Sequence, residues 1–119
     1  VLELNFKWKL TIKYMEILEL LEYLDERIKE VEASWRLGDE TGDNLSYEII
    51  DNFTIAINSG WSSYEEGENN DVTISFGVNI TANINTSGYS VYGGEYESQD
   101  NLIFNDTTEL ISWLREEGM

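Results

Sequence analysis

Carboxylates are nearly the only side chains in this sequence equipped for chemistry: Asp and Glu number 24 against 7 Lys and Arg, and there is no His and no Cys. A carboxylate can serve as half of an acid/base pair, hold a hard cation, or attract a basic partner. The first use is disfavoured. Without His or Cys the chain lacks the commonest general base, the thiolate nucleophile and the usual zinc ligands. It has no glycine-rich phosphate loop and no G-x-S-x-G elbow. No two carboxylates are set apart by their spacing as an acid/base pair, so the chain reads as non-enzymatic and without a cofactor. Calcium fares little better. Asp39-Glu40-Thr41-Gly42-Asp43-Asn44 has its glycine at the fourth position, and the twelfth, where an EF-hand needs a bidentate Glu, is Ile50. The run Glu65-Glu66-Gly67-Glu68-Asn69-Asn70-Asp71 is at most a weak cation holder, and a solvated loop is the better account of it.

The third use fits the distribution of charge. Residues 1–36 contain Lys7, Lys9, Lys13, Arg27, Lys29 and Arg36 and carry a net charge of -2, whereas residues 37–119 contain only Arg115 and carry -15 of the total -17. Solubility or adaptation to high salt would explain an even acidic coat, and the one-sidedness argues against it. The acidity is densest beside aromatics. Residues 59–71 hold Trp61, Tyr64, Glu65, Glu66, Glu68 and Asp71, and Glu95, Glu97 and Asp100 follow further on. Aromatics flanked by charge suit a binding hot spot, although Trp61 and Tyr64 would also serve as a small satellite core. These nine residues are the candidate partner-binding set, and the partner they suit is a basic protein surface. Direct nucleic-acid binding is excluded by repulsion from the phosphates.

Elements that would position this set follow from periodicity. Leu2, Leu4, Phe6, Trp8, Leu10 and Ile12 alternate strictly with polar residues, which predicts an N-terminal strand. The period then changes: Tyr14, Ile17, Leu21, Leu24, Ile28, Val31 and Trp35 predict a helix over 14–36, ended by Gly38 and carrying a Glu26–Lys29 neighbour pair. A polar loop is expected at 39–46. Alternation predicts one strand near 47–58 and a second over 72–84, joined by a long loop at 59–71. Asn85-Thr86-Ser87-Gly88 supplies turn residues, and Tyr89–Glu97 reads as a third strand with a bulge at Gly93-Gly94. Leu102-Ile103-Phe104 is a last apolar cluster. Asp106 or Thr107 can cap a C-terminal helix, with Glu109 placed as in a capping box and Leu110, Ile111, Trp113 and Leu114 on its apolar face.

The fold class expected is α+β: an antiparallel three-stranded meander packed against a long N-terminal helix and a short C-terminal helix. At 119 residues it should form a single domain, 1–119, with residues 1–14 either an extra strand or an alternative-start segment. If the strands run as a meander, 59–71 and 95–100 fall at the same end and could make one continuous negative surface. The absence of Cys excludes a disulfide framework and suits a reducing cytoplasm. No apolar run is long enough for a membrane span or a signal peptide. Asn-x-Ser/Thr triplets at Asn44, Asn52, Asn79, Asn85 and Asn105 carry no weight without secretion.

In size, acidity, lack of Pro and Cys, and α-β-β-β-α order the chain resembles small phage-encoded inhibitors of bacterial defence, anti-CRISPR proteins and anti-restriction DNA mimics. The order alone also resembles a double-stranded-RNA-binding domain, which needs basic contacts this chain lacks. The first resemblance implies an inhibitor that occupies the nucleic-acid-binding surface of a Cas9-type effector or a restriction enzyme, with carboxylates standing for phosphates. Duplex DNA carries one charge per about 1.7 Å, so seventeen charges match about 29 Å of duplex, near the diameter of a domain this size. An immunity or antitoxin protein against a basic nuclease, and a phage structural or assembly protein, are the alternatives.

Overall fold

The computed structural model describes the backbone of residues 2–36 and 43–119 and the side chains of residues 10–33 and 43–119. A helix, α1 (Leu2–Arg36), is followed by five strands, β1 (Asn44–Asp51), β2 (Thr54–Ser62), β3 (Glu66–Phe76), β4 (Ile80–Ser90) and β5 (Gly94–Phe104), and by a helix α2 (Thr107–Glu116). The strands form one antiparallel sheet in the order β1-β2-β3-β4-β5. The α+β class with one long and one short helix is therefore observed, but with a five-stranded meander rather than three strands.

The missing strands were hidden by parity. In a hairpin whose paired residues have the same parity, the apolar alternation runs unbroken through the turn. Phe76 pairs with Ile80 and Ile49 with Ile55, so 72–84 is the β3–β4 hairpin turning at Gly77-Val78-Asn79, and 47–58 is the β1–β2 hairpin turning at Asn52-Phe53. At β2–β3 the parity switches, since Ile57 pairs with Val72, and this boundary was the visible one. Residues 59–71 are accordingly not a long loop: they finish β2 and begin β3 around a turn of only Ser63-Tyr64-Glu65. Asn85–Gly88 lies within β4, and Gly93-Gly94 belongs to the β4–β5 turn rather than a bulge, Gly94 taking φ +83°.

The N-terminal strand is also corrected. Residues 2–12 continue α1, because a helix already nucleated over 14–36 propagates cheaply while an isolated alternating segment has no ladder to join. Gly38, residues 39–42 and the side chain of Trp35 lie outside the described residues, and residues 44–46 of the expected polar loop begin β1 instead. The remaining expectations for α1 hold: Ile17, Leu21, Leu24, Ile28 and Val31 belong to its packed face, and Lys29 Nζ lies 3.3 Å from Glu26. Tyr14, by contrast, is exposed along one side and stacks on Phe53.

Leu20 and Leu24 of α1, Ile55, Ile57, Val72 and Ile74 of the sheet, and Leu110 and Leu114 of α2 are essentially fully buried in one cluster. Each such side chain stabilises the fold by about 1.5–3 kcal/mol relative to exposure. α2 begins as expected. Asp106 is its N-cap and accepts from the Glu109 N–H at 2.9 Å, while the Glu109 carboxylate reaches back to the Asn105 N–H, also at 2.9 Å. Its far end locks onto α1: Arg115 stacks over the Tyr23 ring, and Tyr23 Oη donates to the Met119 carbonyl at 2.7 Å.

The radius of gyration, 16.6 Å, exceeds the roughly 13.5 Å of a compact chain this long. Two features cause the elongation. The eleven-residue strands β3, β4 and β5, each about 36 Å long, outrun the helices at the end formed by the β2–β3 and β4–β5 turns, the free end. At the opposite end, where Tyr14 stacks on Phe53 at 6.2 Å between centroids, the first turns of α1 continue past the sheet. Among the described residues no helix is long and apolar enough to cross a membrane.

Candidate binding surface

The apolar rows of the sheet stop abruptly. Val72 of β3 and Ile84 of β4 are paired and buried, and their row ends on β5 at the exposed Asp100. Beyond it the helix-facing side of these strands carries Asn70, Thr86 and Ser98, then Glu68, Gly88 and Tyr96, then Glu66, Ser90 and Gly94. Among the described residues nothing covers this free end, which forms a paddle of sheet, and from residue 43 to residue 106 the chain contains no Lys and no Arg.

The register decides which candidate residues share a face. On β3–β5 the even-numbered residues point to the helices, as buried Val72, Ile74, Ile80, Ala82 and Phe104 show. Glu66, Glu68 and Asp100 therefore lie on the helix side, joined by Trp61, which pairs with Glu68. Asp71, Glu95 and Glu97 lie on the outer side, and Tyr64 and Glu65 occupy the β2–β3 turn. All but Asp71 and Asp100, which sit nearer mid-sheet, gather towards the tip. They do not form one face: the acidity wraps both sides of the paddle.

Tyrosines that sequence reasoning missed hold this end together. Gly88 separates Glu68 from Tyr96 in one cross-strand row, and because it has no side chain the Tyr96 ring lies across it and its Oη donates to Glu68 Oε2 at 2.6 Å. On the other side Tyr89 covers Gly67, where an added Cβ would come within 2.7 Å of the ring. The two turns are tied as well, since the Val91 N–H donates to the Glu65 carbonyl at 2.9 Å and Tyr92 Oη to Glu65 Oε1 at 3.1 Å. Only the cross-strand register reveals that each glycine faces a tyrosine, so no local signal could have found these pairs.

Hydrogen bonds hold several carboxylates in place. Glu68 accepts from Tyr96 and, at 3.3 Å, from Asn70 Nδ2; Asp71 accepts from Asn58 Nδ2 at 2.7 Å. The donation to Glu68 pushes the Tyr96 phenol above its usual range, because a phenolate there would face a carboxylate. Tyr64 is fully exposed and Trp61 39 % exposed, so neither forms a satellite core. A shallow, open depression on this end is lined by Trp61, Glu68, Gly88, Glu95 and Tyr96 among others. Among the described residues no group of three or more acidic side chains converges to hold a metal ion.

What the arrangement offers chemically is anionic charge and aromatic edges held on a hydrogen-bonded sheet. Comparison with family models, with curated proteins and with solved structures finds no match for this chain.

Proposed function

We propose that the chain is a non-enzymatic inhibitor whose free end enters the basic nucleic-acid-binding groove of a bacterial defence effector, a Cas9-type nuclease or a restriction enzyme, in place of DNA. One observation carries this reading: the paddle presents carboxylates on both faces and no cation on either. A flat basic patch would need charge on one face. A groove that grips a duplex meets phosphates on two sides, and a thin sheet charged on both faces satisfies both walls. Carboxylates two residues apart on a strand, such as Glu66 and Glu68 or Glu95 and Glu97, stand about 6.6 Å apart, twice the strand rise. That is about twice the 3.4 Å per charge of one DNA strand, so the mimicry lies in sparse charge on two faces rather than in phosphate-by-phosphate overlay.

Competition against labelled duplex DNA for a Cas9-type effector or restriction enzyme, with reversal of one face at a time, tests this. Glu66→Lys with Glu68→Lys and, separately, Glu95→Lys with Glu97→Lys should each weaken inhibition at least about tenfold, and added salt should weaken the unaltered protein. Inhibition indifferent to both reversals, or capture of a nuclease toxin instead, would overturn the reading.

A further inference from the structure

The face of the sheet turned away from the helices is dominated by amides. Cross-strand rows place Asn58, Asp71, Asn85 and Gln99 side by side, then Thr73, Asn83 and Asn101, and, towards the free end, Asn69, Ser87 and Glu97. Asn is disfavoured in strands, and a sheet face that only meets water ordinarily carries Thr and charges of both signs. These amides are also held in position. Asn58 Nδ2 donates to Asn69 Oδ1 at 3.0 Å and to Asp71 Oδ1 at 2.7 Å, Asn85 Nδ2 to Asn83 Oδ1 at 3.1 Å, and Asn83 Nδ2 to Asn101 Oδ1 at 2.7 Å. Among the described residues Asn85 Oδ1, Asn101 Nδ2 and the Gln99 amide have no partner. Shallow depressions follow this face and meet at Asp71, one lined by Asp71, Asn85, Ser87 and Gln99 and the other by Asn58, Asp71 and Thr73. Two residues past Ser87, the ring of Tyr89 lies over Gly67, with the residue 43 % exposed. From Asn83 to Tyr89 the strand runs about 20 Å.

That combination selects a ligand by its chemistry. A carboxamide sets an acceptor beside a donor, and two neighbouring hydroxyls of a sugar offer the complementary pair. A flat ring laid on a glycine presents its free face to the C–H side of a sugar ring. Charge narrows the class: Asp71, Glu95 and Glu97 stand along the same face and no Lys or Arg occurs between residues 43 and 106, so phosphate, sulfate and uronate chains are repelled. A trough of this length suits a chain of several sugars rather than one. We propose that the outer face of the sheet binds a neutral oligosaccharide, its hydroxyls on the amides of Asn83, Asn85, Gln99 and Asn101 and one sugar ring stacked on Tyr89. The site does not use the charge on which nucleic-acid mimicry rests, and it stands whether or not that reading does.

An array of neutral, amino-substituted, sulfated and sialylated glycans, probed with the whole protein, should retain it on neutral chains, and calorimetric titration with the strongest of these should saturate. Tyr89→Ala and, separately, Asn85→Asp, which is isosteric but lacks the N–H donors, should each weaken that binding at least about tenfold with unchanged far-UV circular dichroism. Tyr89→Phe keeps the ring and should bind as the unaltered protein does. Glu66→Lys with Glu68→Lys, on the opposite face, should leave glycan binding unchanged, which separates this inference from the inhibitor reading. Retention on charged chains only, retention on no glycan at all, or binding indifferent to Asn85→Asp would overturn the inference.

Discussion

The two halves of the sheet share the same strands and the same antiparallel ladder, yet they are built on opposite principles. In the helix-covered half the inward residues are Ile, Val, Phe and Ala, buried under α1 and α2. In the free half the same positions hold Asn, Thr, Ser, Glu and Gly, with a tyrosine laid over a glycine on each face. The first half is stable because apolar area leaves water. The second has almost none to remove, and it holds its shape through the ladder inherited from the first and through hydroxyl–carboxylate bonds. The lesson is that a stable half can carry an exposed, self-repelling half in register, with carboxylates on both faces of the latter.

Substitutions that treat the halves differently test that division. The largest effect is expected at the core: Ile74→Ala should cost about 2–5 kcal/mol, whereas Glu66→Ala in the free half should stay within about 0.5 kcal/mol. Chemical denaturation of both variants measures this, and similar losses would mean that the free half bears stability of its own. A smaller effect is expected at Gly88→Ala, where the new methyl group collides with the Tyr96 ring. The ring must swing off the strand and release Glu68. Hydrogen exchange should quicken in β4 and β5 beyond Asn85 while the covered half keeps its protection.

The smallest effect is electrostatic. Tyr96 is raised above its usual value near 10 by donating to Glu68, so the bond's contribution is intact below pH 10 and is lost as pH rises through the elevated folded value. Ultraviolet titration should show late phenolate formation, one group of which Tyr96→Phe or Glu68→Gln removes. Tyr47, raised chiefly by its hydrogen bond to Asp25, and Tyr23, raised chiefly by burial, should remain as late groups in both variants.

Much of this could be read in advance where the governing interaction is local. The α2 cap needs only Asp106 and Glu109, three residues apart, and the α1 stripe only spacings of three and four, so both were legible. Composition likewise carried the acidic, cation-poor sheet and the absence of His and Cys. Alternation identified strand-forming sequence but not strand number, because the turns at Asn52-Phe53 and Gly77-Val78-Asn79 preserve parity. It failed altogether at residues 2–12, where continuity with a long helix overrode the local period.

By itself, then, the sequence determined which residues repel water and which carry charge, along with the caps and stripes that depend on near neighbours. Only the tertiary structure decided that Glu66 and Glu68 turn to one face while Glu95 and Glu97 turn to the other, and that Tyr96 reaches Glu68 across Gly88. The reason is that a strand's register is set by its partners: a slip of one residue would move every side chain to the opposite face, and nothing within a single strand forbids it.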